Sequence, residues 1–365
     1  MRILQIILLL FVSVVHAQDK RIISGNVVNQ QTGAPIPNAS VYIANTSRGS
    51  VTDAKGFFEL RNVPLGNYEL VVSFIGFSPK IFQFSPGKLP LRLDVRLEPK
   101  IDVLQSVTVQ PFEKDGWVKW GRFFLDHFIG TSAIAKEAKI KNQQVLRFRY
   151  SAKENTLNVV SNEPLLIENP ALGYRIKYDL DEFTYDSSEH ALYFQGHLYF
   201  EDLIKENPRM AKRWRNNRRQ AYGGSIMHFM RCLYAGTLTK EGFEVHRSKL
   251  QGKDFYEMSP KLLSSDSIVS NSADNIRTLF FDNTLTVIYK NAKSDPNYSN
   301  PESGKGGGWR QNSIISLRFK RPLIIEYNGN YSPPLDLFLT GYWSWSEKIG
   351  HILPLDYDAS IQNRE

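Results

Sequence analysis

The stretch "ISGNVVNQQTGAPIPNASVYIANTSRGSVTDAKGFFELRNVPLGNYELVVSFIGF", Ile23 to Phe77, decides the first fold. "RIISGNVVN" is rich in β-branched residues and stops where Gly33, Pro35 and Pro37 break the chain. "SVYIAN" follows, with Val41 and Ile43 on one face. "TSRGSVTDAKG" is a loop of turn residues, and "FFELRNV" is a strand. After the turn at Pro64–Gly66, Tyr68, Leu70, Val72 and Phe74 alternate with Glu69, Val71, Ser73 and Ile75. "KIFQF" and "LRLDVRLEP" complete the set. Short strands at roughly ten-residue spacing, with no helical periodicity, predict an all-β sandwich over residues 20–100.

Four pieces of this stretch are more specific than its periodicity. They are Gly25-x-Val27, Thr32-Gly33-x-Pro35-Ile36-Pro37-x-Ala39, Thr52-Asp53-x-x-Gly56-x-Phe58 and Pro64-x-Gly66-x-Tyr68. In this order they resemble the carboxypeptidase regulatory-like domain, a transthyretin-like (Ig-like) sandwich. Each piece reads as structural: the glycines stand where turns need permissive dihedrals, and Pro-x-Gly-x-Tyr opens a long central strand. The resemblance implies company rather than chemistry. Such domains sit beside metallocarboxypeptidase domains and head TonB-dependent receptors of the Bacteroidetes outer membrane, and some related sandwiches bind starch. None of those activities transfers with the fold.

Outward from the sandwich, the chain opens "MRILQIILLLFVSVVHAQDK". Arg2 precedes an apolar run from Ile3 to Val15, and Val15-His16-Ala17 fits a cleavage site. Residues 1–17 are expected to be a signal peptide, so the protein is expected to be exported, to the periplasm or in association with the outer membrane. No later segment approaches ~20 consecutive apolar residues, so no transmembrane span is expected in the mature chain. Lys and Arg number 45 against 37 Asp and Glu, a net charge of +8. Losing Arg2 leaves +7, a moderate balance spread along the chain. A content of 42% hydrophobic and 12% aromatic residues supports real cores and argues against disorder. With Cys232 alone, no intramolecular disulfide forms.

From "EPKIDVLQSVTVQPFEKDGW" the texture changes. Residues 101–115 read as a linker or one extra strand, Val103 to Val109, and residues 116–365 as an α+β, sheet-rich domain. Trp117, Trp120, Phe123, Phe124 and Phe128 recur at helical spacing and predict an amphipathic helix with an aromatic core face. Beyond it, "LRFRYSAKENTLNVV" to "ALYFQGHLYFEDL" predicts two strands, a turn and a long hairpin. Catalytic signatures are missing. The sequence has no His-x-x-Glu or His-Glu-x-x-His pair, no Gly-x-Ser-x-Gly elbow and no phosphate loop around Lys305. No cofactor and no metal is expected.

"KRWRNNRRQAYGGSIMHFMRCLY", Lys212 to Tyr234, carries the site candidates. A helix is expected to run to Tyr222 and break at Gly223–Gly224. Ser225 then caps a second helix, whose Ile226, Phe229, Met230 and Leu233 face the core. Arg218, Arg219 and Tyr222 lie just before that helix N-terminus, which favours anions. His228, Arg231 and Cys232 share one flank. His228 and Cys232 are either a plain buried pair or, with a third group, a metal or base–nucleophile site. Basic residues around a Trp resemble a nucleic-acid grip, yet an exported protein rarely meets nucleic acid. Candidate ligand-binding residues are therefore Arg215, Arg218, Arg219, Tyr222, His228 and Arg231, with an envelope glycan, lipid headgroup or envelope protein as partner.

Three phrases, "PLLIENPALGYRIKYDL", "NRRQAYGGSIMHFMRCLYAGTLTKEGFEV" and "GYWSWSEKIGHILPLDY", resemble Bacteroidetes envelope proteins that join a regulatory-like sandwich to a body of this size. That resemblance implies a family and no mechanism. The leading expectation is a non-enzymatic envelope-binding protein. The alternatives are an unfamiliar periplasmic hydrolase acting on peptides or glycans, with His228 and Cys232 or nearby carboxylates in its site, and a structural scaffold.

Overall fold

The computed structural model describes residues 21–100, 111–251, 255–271, 276–299 and 310–360. The expected signal peptide and the stretch Val103 to Val109 lie outside them. The described residues form two compact units, 21–42 with 48–100 and 43–47 with 111–360.

The first unit is the β-sandwich. Its strands are β1 (Ile23–Asn29), β2 (Ser40–Ile43), β3 (Gly49–Val51), β4 (Phe57–Leu60), β5 (Tyr68–Ser73), β6 (Lys80–Phe84) and β7 (Leu91–Leu97). One sheet has the order β4-β1-β7 and the other β3-β2-β5-β6. β1 is antiparallel to β4 and parallel to β7, in register from Ile23↔Leu91 to Asn29↔Leu97. Ile23, Val27, Val41, Phe58, Leu70, Val72, Val95 and Leu97 are buried between them.

The motif residues hold the turns. Asp53 Oδ1 accepts the N–H groups of Lys55 (2.8 Å) and Phe57 (2.9 Å), closing the Asp-x-x-Gly turn. Gly56 follows at φ +74°, where a Cβ would stand 2.5 Å from the Val27 carbonyl oxygen. The buried Thr52 hydroxyl donates to Ile36 O (2.7 Å) and accepts from Ala39 N–H (2.8 Å), tying the Pro-Ile-Pro loop to the strand after it. At Gly25 a Cβ would meet Leu93 O at 2.0 Å, so β1 and β7 can pair only with glycine there.

The second unit opens with α1 (Gly116–Phe128) and continues with β8 (Lys139–Ile140), β9 (Leu146–Ser151), β10 (Thr156–Ser161), β11 (Leu165–Asn169) and the long hairpin β12 (Tyr174–Asp186)–β13 (Ala191–Asp202). These strands make one antiparallel sheet, β8-β11-β12-β10-β9 with β13 paired to β12. Phe124 and Phe128 of α1 bury against Phe148, Tyr178 and Phe183 as the first core, with Trp117, Trp120 and Phe123 packed at its rim.

The helix pair α2 (Ala211–Tyr222) and α3 (Ile226–Ala235) follows. Then come β14 (Phe243–Gln251), β15 (Phe255–Leu262), β16 (Val269–Asn271), β17 (Arg277–Leu279), β18 (Thr284–Lys293), β19 (Arg310–Leu317), β20 (Leu323–Ile325), β21 (Tyr331–Ser332), β22 (Leu337–Gly341) and the short helix α4 (Tyr342–Ser346). The sheet β15-β14-β18-β19-β22 packs against α3, and β16-β17-β20-β21 forms a smaller sheet. Phe229, Met230, Phe243, Leu285, Ile315 and Trp343 fill this second core. The described architecture is thus a sandwich followed by a sheet-rich α+β unit. Among the described residues no helix is long and apolar enough to cross a membrane.

Candidate functional site

The joint between α2 and α3 forms as its residues dictate. Gly223 ends α2, and Gly224 takes φ +83°. Ser225 caps α3, its hydroxyl accepting His228 N–H at 3.1 Å. Gly236, at φ 71°, ends α3 in a left-handed C-cap. Ile226, Phe229, Met230 and Leu233 are buried in the second core.

The arginines do not form one cationic surface. Arg218 is 1% exposed, although it stands in the most basic of the described helices. Its Nε donates to Leu172 O (2.7 Å), Nη2 to Gly173 O (2.9 Å), and Nη1 and Nη2 to the Asp202 carboxylate (2.8 and 3.0 Å). Its plane lies 3.8 Å over the Tyr174 ring. Arg218 is a brace between α2 and the β12–β13 hairpin, so it is corrected from an anion-binding role to an internal one. Arg231 is a second brace: Nε donates to Asn328 O (2.8 Å), Nη1 to Tyr357 O (3.0 Å) and Nη2 to Leu355 O (3.1 Å). Its donors meet the protein's own carbonyls rather than an outside anion. Arg219 is exposed and Arg215 half-buried; both remain on the outward flank of α2.

His228 and Cys232 share a flank and are buried, as their spacing requires. His228 Nδ1 accepts Gly224 N–H at 3.2 Å. The neutral ring therefore carries its proton on Nε2, which lies 3.7 Å from Glu241 Oε2. Burial holds His228 down to about 4 despite the raising effect of Glu241. Burial pushes the Cys232 thiol up to about 11. A thiol held above its ordinary range is the opposite of an activated nucleophile. Tyr222 packs on His228 and on Tyr357, with ring centroids 4.6 and 5.4 Å apart. The structure therefore brings Tyr222, His228 and Arg231 together around Tyr357.

A second cluster escapes motif reading. The segment Trp343–Tyr357 passes from the second core, which holds Trp343, to the first, which holds Ile349, Leu353 and Tyr357. Trp343 Nε1 donates to Gly224 O (2.8 Å), and Glu347 Oε1 accepts Ile226 N–H (3.0 Å). Burial raises Glu347 to about 7 and lowers its neighbour Lys348 to about 8. His351, also lowered by burial to about 4, meets Ser132 Oγ through Nδ1 at 2.9 Å. Asp295, whose charge acts on His351, accepts Ala133 N–H at 2.9 Å. Ser132, His351 and Asp295 are the residue types of a hydrolase triad. However, Ser132 is 1% exposed, and its hydroxyl also accepts Ala135 N–H at 3.1 Å. It caps a turn and offers no face to a substrate. One sequence signal pointed to this seam: Trp343 and Glu347 stand four apart, on one side of a helical turn.

The three phrases singled out in the sequence are hydrogen-bonded to one another. Trp214 Nε1 and Asn217 Nδ2 donate to Pro170 O and Ala171 O, both at 2.8 Å. Asn169 Nδ2 donates to Gly350 O at 2.8 Å. With Arg218, Arg231, Trp343 and Glu347, these bonds make one polar knot at the junction of the two cores. Among the described residues no group of three His, Cys, Asp or Glu is placed to hold a metal ion.

The fold defines a β-sandwich module joined to a sheet-rich unit. Residues 23–109 match the CarboxypepD_reg-like domain. No curated protein matches the chain. Among solved structures, a type II cohesin–X-dockerin complex from Acetivibrio cellulolyticus is similar at 26% identity, over 20% of this chain and 52% of that one, with TM-score 0.18. A Bacteroides uniformis protein described as a candidate carbohydrate-binding protein is similar at 10% identity, over 52% and 82%, with TM-score 0.18. A candidate membrane-associated protein of unknown function from Bacteroides fragilis is similar at 14% identity, over 44% and 65%, with TM-score 0.18. The chain spans about half the length of the first of these.

Proposed function

We propose that this is an exported, non-enzymatic envelope protein that binds an anionic or glycan-bearing envelope component, with the sandwich as an interaction module. One observation carries the reading: the cations of α2 divide. Arg218 turns inward as a brace, and Arg213 pairs with Glu137 at 2.6 Å. Lys212, Arg215 and Arg219 stay on the outward flank of a helix that has no acidic residue. The helix itself supplies no acid to offset these three cations, which suits an anionic partner. The states of Cys232 and His228 support binding over catalysis, since burial holds the thiol away from its thiolate form and the His228 Nδ1 acceptor is taken by Gly224 N–H.

The test is binding of the mature chain, Gln18 to Glu365, to arrays of glycans, lipid headgroups and lipopolysaccharide at two salt concentrations. Salt-sensitive binding that is lost in a K212E/R219E variant is the expected result. Binding that survives this charge reversal overturns the assignment to α2.

A further inference from the structure

We propose that the turn Arg318–Pro322, at the end of β19, docks the protein on an anionic lipid surface. This goes beyond the binding face on α2 and uses other residues. Every residue of the turn is exposed. Phe319 stands at its tip with 55% of its surface open, flanked by Arg318, Lys320 and Arg321. An exposed aromatic ringed by cations suits the boundary between headgroups and acyl chains: the ring enters the apolar edge while the cations meet phosphate.

The turn is held in shape. Lys320 N–H donates to Leu317 O at 3.3 Å, and Lys320 takes φ 47°, in the left-handed region. Arg318 N–H donates to Asp336 O at 2.8 Å. The Asp336 carboxylate, 1% exposed, takes two bonds from the Arg321 guanidinium, one from Nε and one from Nη2 at 2.8 Å. The register Leu317↔Leu337 and the Arg318–Asp336 bond bring the helical turn Pro334–Asp336, with Leu335 43% exposed, opposite the end of β19.

Charge and apolar surface point to one occupant. Three cations face one neutralising carboxylate, and the stretch 310–325 contains no Asp or Glu. Arg318 and Lys320 have no acidic partner among the described residues. The guanidinium groups of Arg318 and Arg321 lie 5.3 and 5.2 Å from the Phe319 ring centroid and leave more than half of the residue open. Arg318 can turn toward phosphate as the ring enters the membrane, while Arg321 keeps its bonds to Asp336. A soluble phosphate would use the cations and leave Phe319 and Leu335 in water; a lipid surface uses both.

The experiment is flotation of the mature chain with vesicles of phosphatidylcholine alone and of equimolar phosphatidylcholine and phosphatidylglycerol. Association with the anionic vesicles only is expected. R318Q/K320Q should weaken it about thirtyfold, roughly fivefold per cation. F319S should weaken it about tenfold and more at high salt, where charge is screened. Both variants change exposed side chains, and unaltered melting confirms that they fold. Equal binding to neutral vesicles, no vesicle binding, or variants that bind like the parent would each overturn the proposal. If K212E/R219E abolishes vesicle binding while F319S does not, α2 is the lipid grip and this inference fails while the proposed function stands. If only an acidic protein partner is lost in R318Q/K320Q, the turn is a protein contact and the lipid assignment falls.

Discussion

The Glu347 carboxylate accepts the backbone N–H of Ile226 at 3.0 Å, at the first turn of α3. A helix N-terminus favours an anion, yet burial raises Glu347 to about 7. One dipole therefore does not repay the loss of solvent. Lys348, next in sequence, is shifted the opposite way by the same burial, to about 8. The seam between the two cores thus holds two adjacent groups whose charged forms are both disfavoured.

The contribution of this pair to stability should therefore pass through a shallow minimum between about pH 7 and pH 8. Between 4.5 and 7 the folded state binds more protons at Glu347 than the unfolded state, so the contribution of Glu347 falls as pH rises, against the opposite trend of the buried histidines. Between 8 and 10.5 the unfolded state binds more protons at Lys348, so stability rises with pH. Glu347→Gln keeps an acceptor for Ile226 N–H and removes the carboxylate cost. It should stabilise the fold at pH 7.5 by about 1–2 kcal/mol and remove the Glu347 contribution between pH 4.5 and 7. Urea melts of both proteins across pH check this; a variant less stable at pH 7.5 would show that the charge is useful there.

Local chemistry made much of this fold legible and little of its site. The sandwich turns could be read because Asp53, Gly56 and Thr52 act on residues close in sequence or bonded through a simple loop. The Gly223–Gly224 joint and the Ser225 cap could be read for the same reason. The direction of Arg218 could not: its partners Leu172 and Gly173 lie 46 and 45 residues away, and its neighbour Arg219 has the same local sequence signal. The depth of Glu347, Lys348 and His351 is equally non-local, because it depends on two cores meeting around an otherwise ordinary polar stretch. Glu241, the carboxylate beside His228, lies beyond the end of α3, where helical spacing gives no hint of it.

His228 and His351 predict loss of stability in acid. Both are held near 4, below the ordinary 6.5, so between these values the unfolded state binds more protons. Their contribution is complete above about 6.5 and declines as pH falls toward 4. Protonation of His228 also removes the acceptor for Gly224 N–H at the helix joint. His228→Gln should cost about 1–2 kcal/mol at pH 7 through lost packing, while making the fall between pH 6.5 and 4 less steep. An acid limb identical to the parent's would remove His228 from this account.

Arg218 and Arg219, adjacent in sequence, should respond very differently to substitution. Arg218→Ala removes the donors from two buried carbonyls and the partner of Asp202, and should destabilise by about 3 kcal/mol or more. Arg218→Lys should recover little, because an ammonium cannot reproduce the forked contacts. Arg219→Ala, on the exposed flank, should stay within about 0.5 kcal/mol of the parent. Thermal melts of the three variants decide the matter. Similar losses at both positions would mean that the inward brace is not what holds α2.

Cys232 should be nearly inert in the folded protein. It is buried, and burial raises its thiol to about 11 from an ordinary 9.0. At pH 8 almost none is thiolate, and the little that forms is shielded. Alkylation by iodoacetamide should follow the unfolding curve in urea rather than precede it. Rapid native-state labelling would instead indicate an accessible, activated thiol and would revive the base–nucleophile reading of His228 and Cys232.

Arg231 should control how firmly the chain's last described segment is fixed. Its guanidinium joins α3 to Asn328 on one side and to Leu355 and Tyr357 on the other, with Tyr222 stacked 5.4 Å away. Leu353 and Tyr357 lie in the first core, so the clamp holds the segment that crosses the seam. Arg231→Met preserves much of the apolar stem but leaves three carbonyls without their donor, which should cost about 2–3 kcal/mol. The loss should be local before it is global. Amide exchange should quicken first around Leu355–Tyr357 and Asn328, while β14, β18 and β19 exchange at rates set by the global stability. Uniform acceleration across both cores would show that the clamp belongs to one cooperative whole. No change at Leu355–Tyr357 would show that the segment is held by the burial of Leu353 and Tyr357 and not by Arg231.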